Sequence, residues 1–202
     1  MRYILTVVLL LSAGMGVSAD EPDRFEVIKA ELGQAACTEI EFLSIIESDI
    51  FDRVDTAVGS AYIAADNRYW IELGADEYLS TGKKLYSYSK RHGQVTVEEL
   101  PPGYERSTEI SFIINLDEFF KTVIIQADSA YRLYRRTDDV VGLPDSLTVF
   151  LNDGRVLDRI EYHDVNEELN RIVFERIEPQ DSCREQRFEP SFPDSVDVIE
   201  MP

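Results

Sequence analysis

The stretch Ser107–Val123, STEISFIINLDEFFKTV, lies near the middle of a chain of 202 residues and decides how the rest is read. Ile110, Ile113 and Ile114 form one helical stripe, with Ser107 or Thr108 as cap and Glu109 in the first turn, where negative charge is favourable. Asn115 can cap again, with Glu118 three residues on in capping-box geometry. Leu116, Phe119, Phe120 and Val123 then repeat the i, i+3, i+4, i+7 spacing of a second stripe. The spacing predicts two short helices broken at Asn115. Their surface is too apolar for a helix with one face in water, so they brace a core or cover something greasy.

Short strands in hairpin order flank this stretch. Thr38, Ile40, Phe42 and Ile46 fall on one face, opposite Glu39, Glu41 and Glu47. The acidic stretch Glu47–Thr56 reads as a loop or a long hairpin connection. Gly59–Ala64 carries Ile63 into a turn at Ala65-Asp66-Asn67, and Arg68–Leu73 puts Tyr69, Ile71 and Leu73 on one side. Glu77–Ser80, Lys84–Ser89 and Val95–Leu100 continue a meander that ends at Pro101-Pro102-Gly103. Beyond the central stretch, Thr122–Gln126, Tyr131–Arg136, Leu147–Leu151, Val156–His163 and Glu168–Ile177 resume the strands. Asp153-Gly154 supplies the positive φ angles of a tight hairpin. Ahead of all these, Phe25, Ile28 and Leu32 recur at helical spacing, predicting a helix from Pro22 to Ala35 capped by Asp20 or Glu21. About ten antiparallel strands with so few helices cannot stay flat, and curl into a barrel, an open half-barrel or a sandwich. The class is α+β.

Bulk composition narrows the function. Hydrophobic residues are 44% of the chain, enough for a core, and one domain over 20–202 is expected. The net charge of -19, from 20 Lys+Arg against 39 Asp+Glu, argues against nucleic-acid partners. It also repels an anionic membrane surface and favours a monomer. Residues 1–19 read as a signal peptide, with Arg2, the apolar run Ile4–Leu11, and Val17-Ser18-Ala19 before the cleavage point. No Cys lies at that point, so an exported protein without a lipid anchor is expected, free in the periplasm or outside the cell. The two cysteines, Cys37 and Cys183, both lie in the exported part. A disulfide between them is the simple reading in an oxidising compartment, worth roughly 4–5 kcal/mol in the chain-entropy model. A reactive thiol is the rival, but neither Cys has a CxxC partner or a nearby His.

Catalytic signatures are scarce. HExxH, GxSxG, CxxC and a Gly-rich phosphate loop are absent from the sequence, and no cofactor or metal is expected. His92 and His163 sit beside turns or strand ends. The adjacent carboxylates Asp117-Glu118 and Asp138-Asp139 would point to opposite faces of a strand. The aromatic residues Tyr62, Tyr69, Trp70, Tyr78, Tyr86 and Tyr88 crowd one meander. They serve either cross-strand packing or the lining of a wide apolar cavity.

The order of elements resembles the periplasmic outer-membrane lipoprotein carriers of the LolA type. The matching pieces are the signal peptide without a lipid-attachment Cys, the short N-terminal helix, the strand ending at Ile40–Ser44, and the Gly-led strand and turn Gly59–Tyr69. The hairpin Gly82–Tyr88, Gln94-Val95 before the apolar helical segment, and the closing run Phe188–Ile199 follow in order. The resemblance covers nearly the whole mature chain and rests on order, since each motif alone is weak. It implies an open, twisted antiparallel half-barrel with a helical lid over an apolar cavity, holding acyl chains without chemistry. It also implies an inner-membrane releasing complex as donor and an outer-membrane protein as acceptor. On this reading Ile40, Phe42, Ile63, Tyr69, Ile71 and Leu73 line the cavity, and Ile110, Ile113, Ile114, Phe119 and Phe120 close it. One departure stands out. Many such carriers have Arg-Pro at the turn after the second strand, where the Arg bonds the lid; here the turn is Ala65-Asp66, and Arg68 lies just beyond it. Two rival readings remain. One is a non-transporting module on the same fold that senses lipids or lipoproteins in the envelope. The other is a secreted hydrolase using paired carboxylates.

Overall fold

The computed structural model describes residues 23–66, 68–100, 116–126, 129–136, 143–153 and 156–201. The expected signal peptide, residues 1–19, and Ile110, Ile113 and Ile114 lie outside the described residues. The chain opens with helix α1 (Arg24–Gln34), capped by Asp23, whose carboxylate accepts from the backbone N–H groups of Phe25 and Glu26. The cap is thus later than the expected Asp20 or Glu21. Phe25, Ile28 and Leu32 form its buried stripe, as their spacing requires.

Two meanders follow. The first is β1 (Cys37–Ser48), β2 (Arg53–Ala64), β3 (Tyr69–Leu73), β4 (Asp76–Ser80), β5 (Lys84–Ser89) and β6 (Gln94–Glu99). The second begins with the one-turn helix α2 (Leu116–Phe119) and runs through β7 (Phe120–Gln126), β8 (Ala130–Arg135), β9 (Ser146–Leu151), β10 (Leu157–His163) and β11 (Leu169–Gln180). A 3-10 turn, Glu185–Phe188, and a last strand, β12 (Asp197–Glu200), close the chain. The first and last long strands, β1 and β11, pair antiparallel and join the meanders into one sheet of 12 strands, ordered β12-β6-β5-β4-β3-β2-β1-β11-β10-β9-β8-β7. The sheet is open: β12 and β7 form its two edges. Among the described strands only β12 runs parallel to its neighbour.

The structure departs from two expectations. The acidic Glu47–Thr56 is mostly strand, because β1 and β2 stay in register out to Ser48 and Arg53. Continuous cross-strand pairing outweighs the unfavourable composition there. The expected second helix stops at Phe119, and Phe120 starts β7 with Thr122 opposite Leu133 and Ile124 opposite Tyr131. The run Thr122–Ile125 is β-branched throughout and favours a strand. Phe119 and Phe120 are therefore core residues, 6% and 0% exposed, packed in the same cluster as Leu116, Tyr131 and Leu133. The spacing left open a core brace or a cover, and burial in this cluster fits the brace.

Candidate functional site

Strand pairing sets out the hollow of the sheet in rows. Ile177, Ile40, Ala61, Ile71 and Tyr78 lie opposite one another across β11, β1, β2, β3 and β4. Phe174, Phe42, Gly59 and Leu73 form the next row. Period-two alternation puts Ile63 and Tyr69 on the same concave face. Ile40, Phe42, Ile63, Tyr69 and Ile71 are all buried in one cluster, with Leu73 packed against it partly buried. The same cluster takes in Phe25, Ile28 and Leu32, so α1 lies in the hollow.

The helix does not fill it. A cavity of about 400 Å³ remains between α1, β11 and the β9–β10 hairpin. Ile28, Leu32, Leu157, Phe174, Ile177 and Pro179 line it together with polar and charged residues, among them Arg24, Glu31, Asn152, Glu175 and Arg176. Its size falls within the range of about 300–1,000 Å³ usual for small-molecule sites. Sequence reading missed Phe174, Ile177 and Leu157 as lining. A bulge explains the first two: Glu41 pairs with Arg176 but Phe42 with Phe174, so Glu175 is extra. One added residue resets the alternation, and residues of opposite parity then face the same side. Nothing in the local sequence marks that slip.

Toward the other end the same face turns polar. Asp76, Tyr78, Ser87, Ser89, Gln94 and Thr96 line a second hollow of about 260 Å³ beside His92. The concave surface is thus amphipathic, apolar from β11 to β3 and hydroxyl-rich on β5 and β6.

The crowded aromatic residues divide between two faces. Tyr69 and Tyr78 face the hollow, but Tyr62, Trp70, Tyr86 and Tyr88 lie on the convex side under the C-terminal tail. Phe188 stacks on Tyr62 at 5.5 Å, Phe192 contacts Tyr86 and Tyr88 at 6.0 and 5.4 Å, and Arg187 lies over Trp70. Most of these rings hold the tail, as period-two alternation requires once Tyr69 points inward. Cys37 and Cys183 are joined by a disulfide with Cα atoms 5.4 Å apart, and belong to the same convex cluster as Tyr62, Trp70 and Phe188.

Arg68 also serves this tail. It forms ion pairs with Asp66 at 2.9 Å and Glu185 at 2.6 Å, and its guanidinium lies over the Phe188 ring. Bonds from Glu185 and then Asp66 raise its pKa above the ordinary value. Burial pushes the Asp66 carboxyl up, but the bonds and charge of Arg68 outweigh it and hold it below its ordinary value. A different residue ties the inner helices together. Lys29 on α1, its side chain 6% exposed, bonds Asp117 on α2 at 2.6 Å and Glu26 at 2.8 Å. Partial burial lowers the Lys29 pKa, but these two carboxylates more than compensate and raise it. Tyr131 stacks on Phe25 at 4.6 Å and donates to the capping carboxylate of Asp23 at 3.0 Å.

Carboxylates also meet on the convex side. Glu41, Glu72 and Glu175 line a convex groove of about 430 Å³ together with Val58, Gly59 and Ser60. Glu41 accepts from Arg176 at 2.6 Å and Glu72 pairs with Lys90, so two of the three are engaged by cations. Among the described residues no cluster of His, Cys, Asp and Glu is arranged to hold a metal ion. No helix of the described residues is long and apolar enough to cross a membrane.

Fold and cavity define the class: an open antiparallel half-barrel whose apolar hollow is partly occupied by a helix. This is the architecture that the LolA-type resemblance implied. No protein-family model and no curated protein matches the sequence. Among solved structures, an uncharacterized conserved protein from Thermus thermophilus is similar with a TM-score of 0.51 at 9% identity, covering 88% of this chain and 97% of that one. A LolA superfamily protein from Nitrosomonas europaea is similar with a TM-score of 0.45 at 8% identity, covering 84% and 99%. A putative outer membrane lipoprotein-sorting protein domain from Vibrio parahaemolyticus gives 0.46 at 7%, covering 82% and 94%. At such identities the likeness is one of fold.

Proposed function

We propose that this chain is a periplasmic carrier that binds the acyl chains of a lipoprotein, or of a related lipid, and ferries them from the inner to the outer membrane. The observation that carries the reading is the cavity left between α1 and β11, where apolar residues of the hollow meet polar and charged ones. Such a mixed lining suits a hydrocarbon chain whose polar end stays in water. An inner-membrane releasing complex as donor and an outer-membrane acceptor follow from the resemblance in element order. The protein acts by binding, and no step of chemistry is part of the proposal.

The test is fluorescence of an acyl-chain probe with the wild type and with Phe174→Asn and Ile177→Asn, whose side chains are only partly buried. A charge-free polar group on the wall should weaken probe binding at least tenfold while the unfolding midpoint stays near wild type. Unchanged binding in both variants would remove this cavity from the account. Mass spectrometry of protein purified from its native envelope separates transport from sensing. A carrier brings lipid or lipoprotein with it; a sensor brings a membrane-spanning partner.

A further inference from the structure

The polar end of the concave face has a composition that neither a core nor a plainly solvated strand requires. Two rows cross from β4 to β6. In one, Tyr78 stands opposite Ser87 and Ser87 opposite Thr96; in the other, Asp76 stands opposite Ser89 and Ser89 opposite Gln94. The first row continues Ile71 and the second continues Leu73, so both change from apolar to polar at the same step, between β3 and β4. All six side chains are half-buried. Strand positions that merely face water near a sheet edge favour long charged side chains. In a chain whose residues are 29% charged, these six include Asp76 but no Lys, Arg or Glu.

The same six residues line the hollow of about 260 Å³ beside His92. That volume is just below the range of about 300–1,000 Å³ usual for drug-sized ligands, and suits a smaller polar molecule. Among the described residues, the side chains of Asp76, Ser87, Ser89, Gln94 and Thr96 have no hydrogen-bond or ion-pair partner, which leaves their donors and acceptors to a ligand. The hydroxyls and the amide can each donate and accept, while the Asp76 carboxylate only accepts. This mixture fits a molecule that itself donates and accepts at several points around a compact frame. A carboxylate in the hollow of a chain with net charge -19 disfavours an anion there. Tyr78 adds an aromatic ring to the wall.

We propose that this hollow binds a neutral hexose, free or carried as the head of a lipid. Asp76 accepts from neighbouring sugar hydroxyls, in bonds strengthened by its charge. Gln94, Ser89 and Thr96 hold other hydroxyls, and the Tyr78 ring covers an apolar face of the sugar. Strands β1, β2 and β3 separate this site from the cavity between α1 and β11, so it does not depend on what that cavity binds.

NMR amide shifts of the chain from Asp20 to Pro202 test this, in titrations with the methyl β-glycosides of glucose, galactose and mannose. At least one hexoside should shift the amides of Ser87, Ser89, Gln94 and Thr96 in a saturable way and leave those of α1 and β11 in place. Asp76→Asn removes the charge at nearly constant shape and should weaken binding about tenfold or more. Thr96→Val, which exchanges a hydroxyl for a methyl, should weaken it severalfold. Circular dichroism and the unfolding midpoint should match wild type for both, since neither side chain belongs to the core. Glucose 1-phosphate should bind more weakly than the neutral glucoside. Octyl β-glucoside below its micelle concentration separates the two sources. Tighter binding than the methyl glucoside at the same amides, lost in Asp76→Asn, identifies a lipid head; equal binding identifies a free sugar. The absence of a saturable shift with every hexoside overturns the proposal. So does binding that is unchanged in both variants, or tighter binding of the phosphate.

Discussion

A single missing side chain shapes the middle of the hollow. Gly59 stands directly opposite Phe42 in the β1–β2 ladder. A Cβ built on Gly59 would lie 2.3 Å from Phe42 Cζ and 2.5 Å from Cε2. The ring, 1% exposed, lies across the strand where a glycine leaves room. Gly59→Ala should therefore displace Phe42 and cost about 1–3 kcal/mol, the usual cost of overpacking a core. Urea titration of the variant measures this, and a change below about 0.5 kcal/mol, the range of ordinary surface substitutions, would mean the ring moves freely. Gly59 was visible in the sequence as the start of a strand. Its partner was not, because register belongs to a pair of strands.

At the level of elements, α1 is the helix that packs into the hollow. It contacts the sheet through Phe25, Ile28 and Leu32, and Lys29 adds a polar tether to Asp117 at the start of the second meander. The pKa of Lys29 is raised, so the tether's contribution is full below the ordinary lysine value of 10.5 and is lost as pH rises through the higher folded value. At neutral pH it is fully engaged. Lys29→Met should loosen α1 by up to about 1 kcal/mol, in line with partly exposed ion pairs. Amide exchange should quicken in α1 and stay unchanged in β1; equal protection in both would show the tether carries no load. The sequence stripe of α1 was legible because helical spacing is local. The helix–strand boundary at Phe119-Phe120 was not, because Leu116, Phe119, Phe120 and Val123 satisfy helical spacing while Phe120, Thr122 and Ile124 satisfy period two. Pairing with β8 chose between them.

Over the whole molecule, the C-terminal segment straps the convex face. The disulfide spans 146 residues and anchors the strap at β1, with Arg68, Asp66 and Glu185 reinforcing it. In the chain-entropy model a loop of that length is worth about 5 kcal/mol. The double variant Cys37→Ala, Cys183→Ala should lose most of that in guanidinium unfolding, and an unchanged midpoint would place the strap's strength in Tyr62 and Phe188 instead. The resting place of Arg68 belongs to this scale as well. It follows the second strand closely in sequence, yet it points to the tail on the convex side, away from α1.

The sequence alone determined most strands of both meanders, the buried stripe of α1, the inward side of Ile40, Phe42, Ile63, Tyr69 and Ile71, and the absence of HExxH, GxSxG and CxxC. All of these are local properties of spacing and residue type, repeated every two or every 3.6 residues. Only the tertiary structure decided that β1 meets β11, that a bulge at Glu175 turns Phe174 and Ile177 into the same hollow, and that Tyr62, Trp70, Tyr86 and Tyr88 face the tail. These depend on contacts between segments more than a hundred residues apart, as for Ile40 and Ile177. No periodicity within one segment carries that information. The stretch Ser107–Val123 divides the same way: its hydrophobic load could be read directly, but the conversion of its second half into core and edge strand required β8 as a partner.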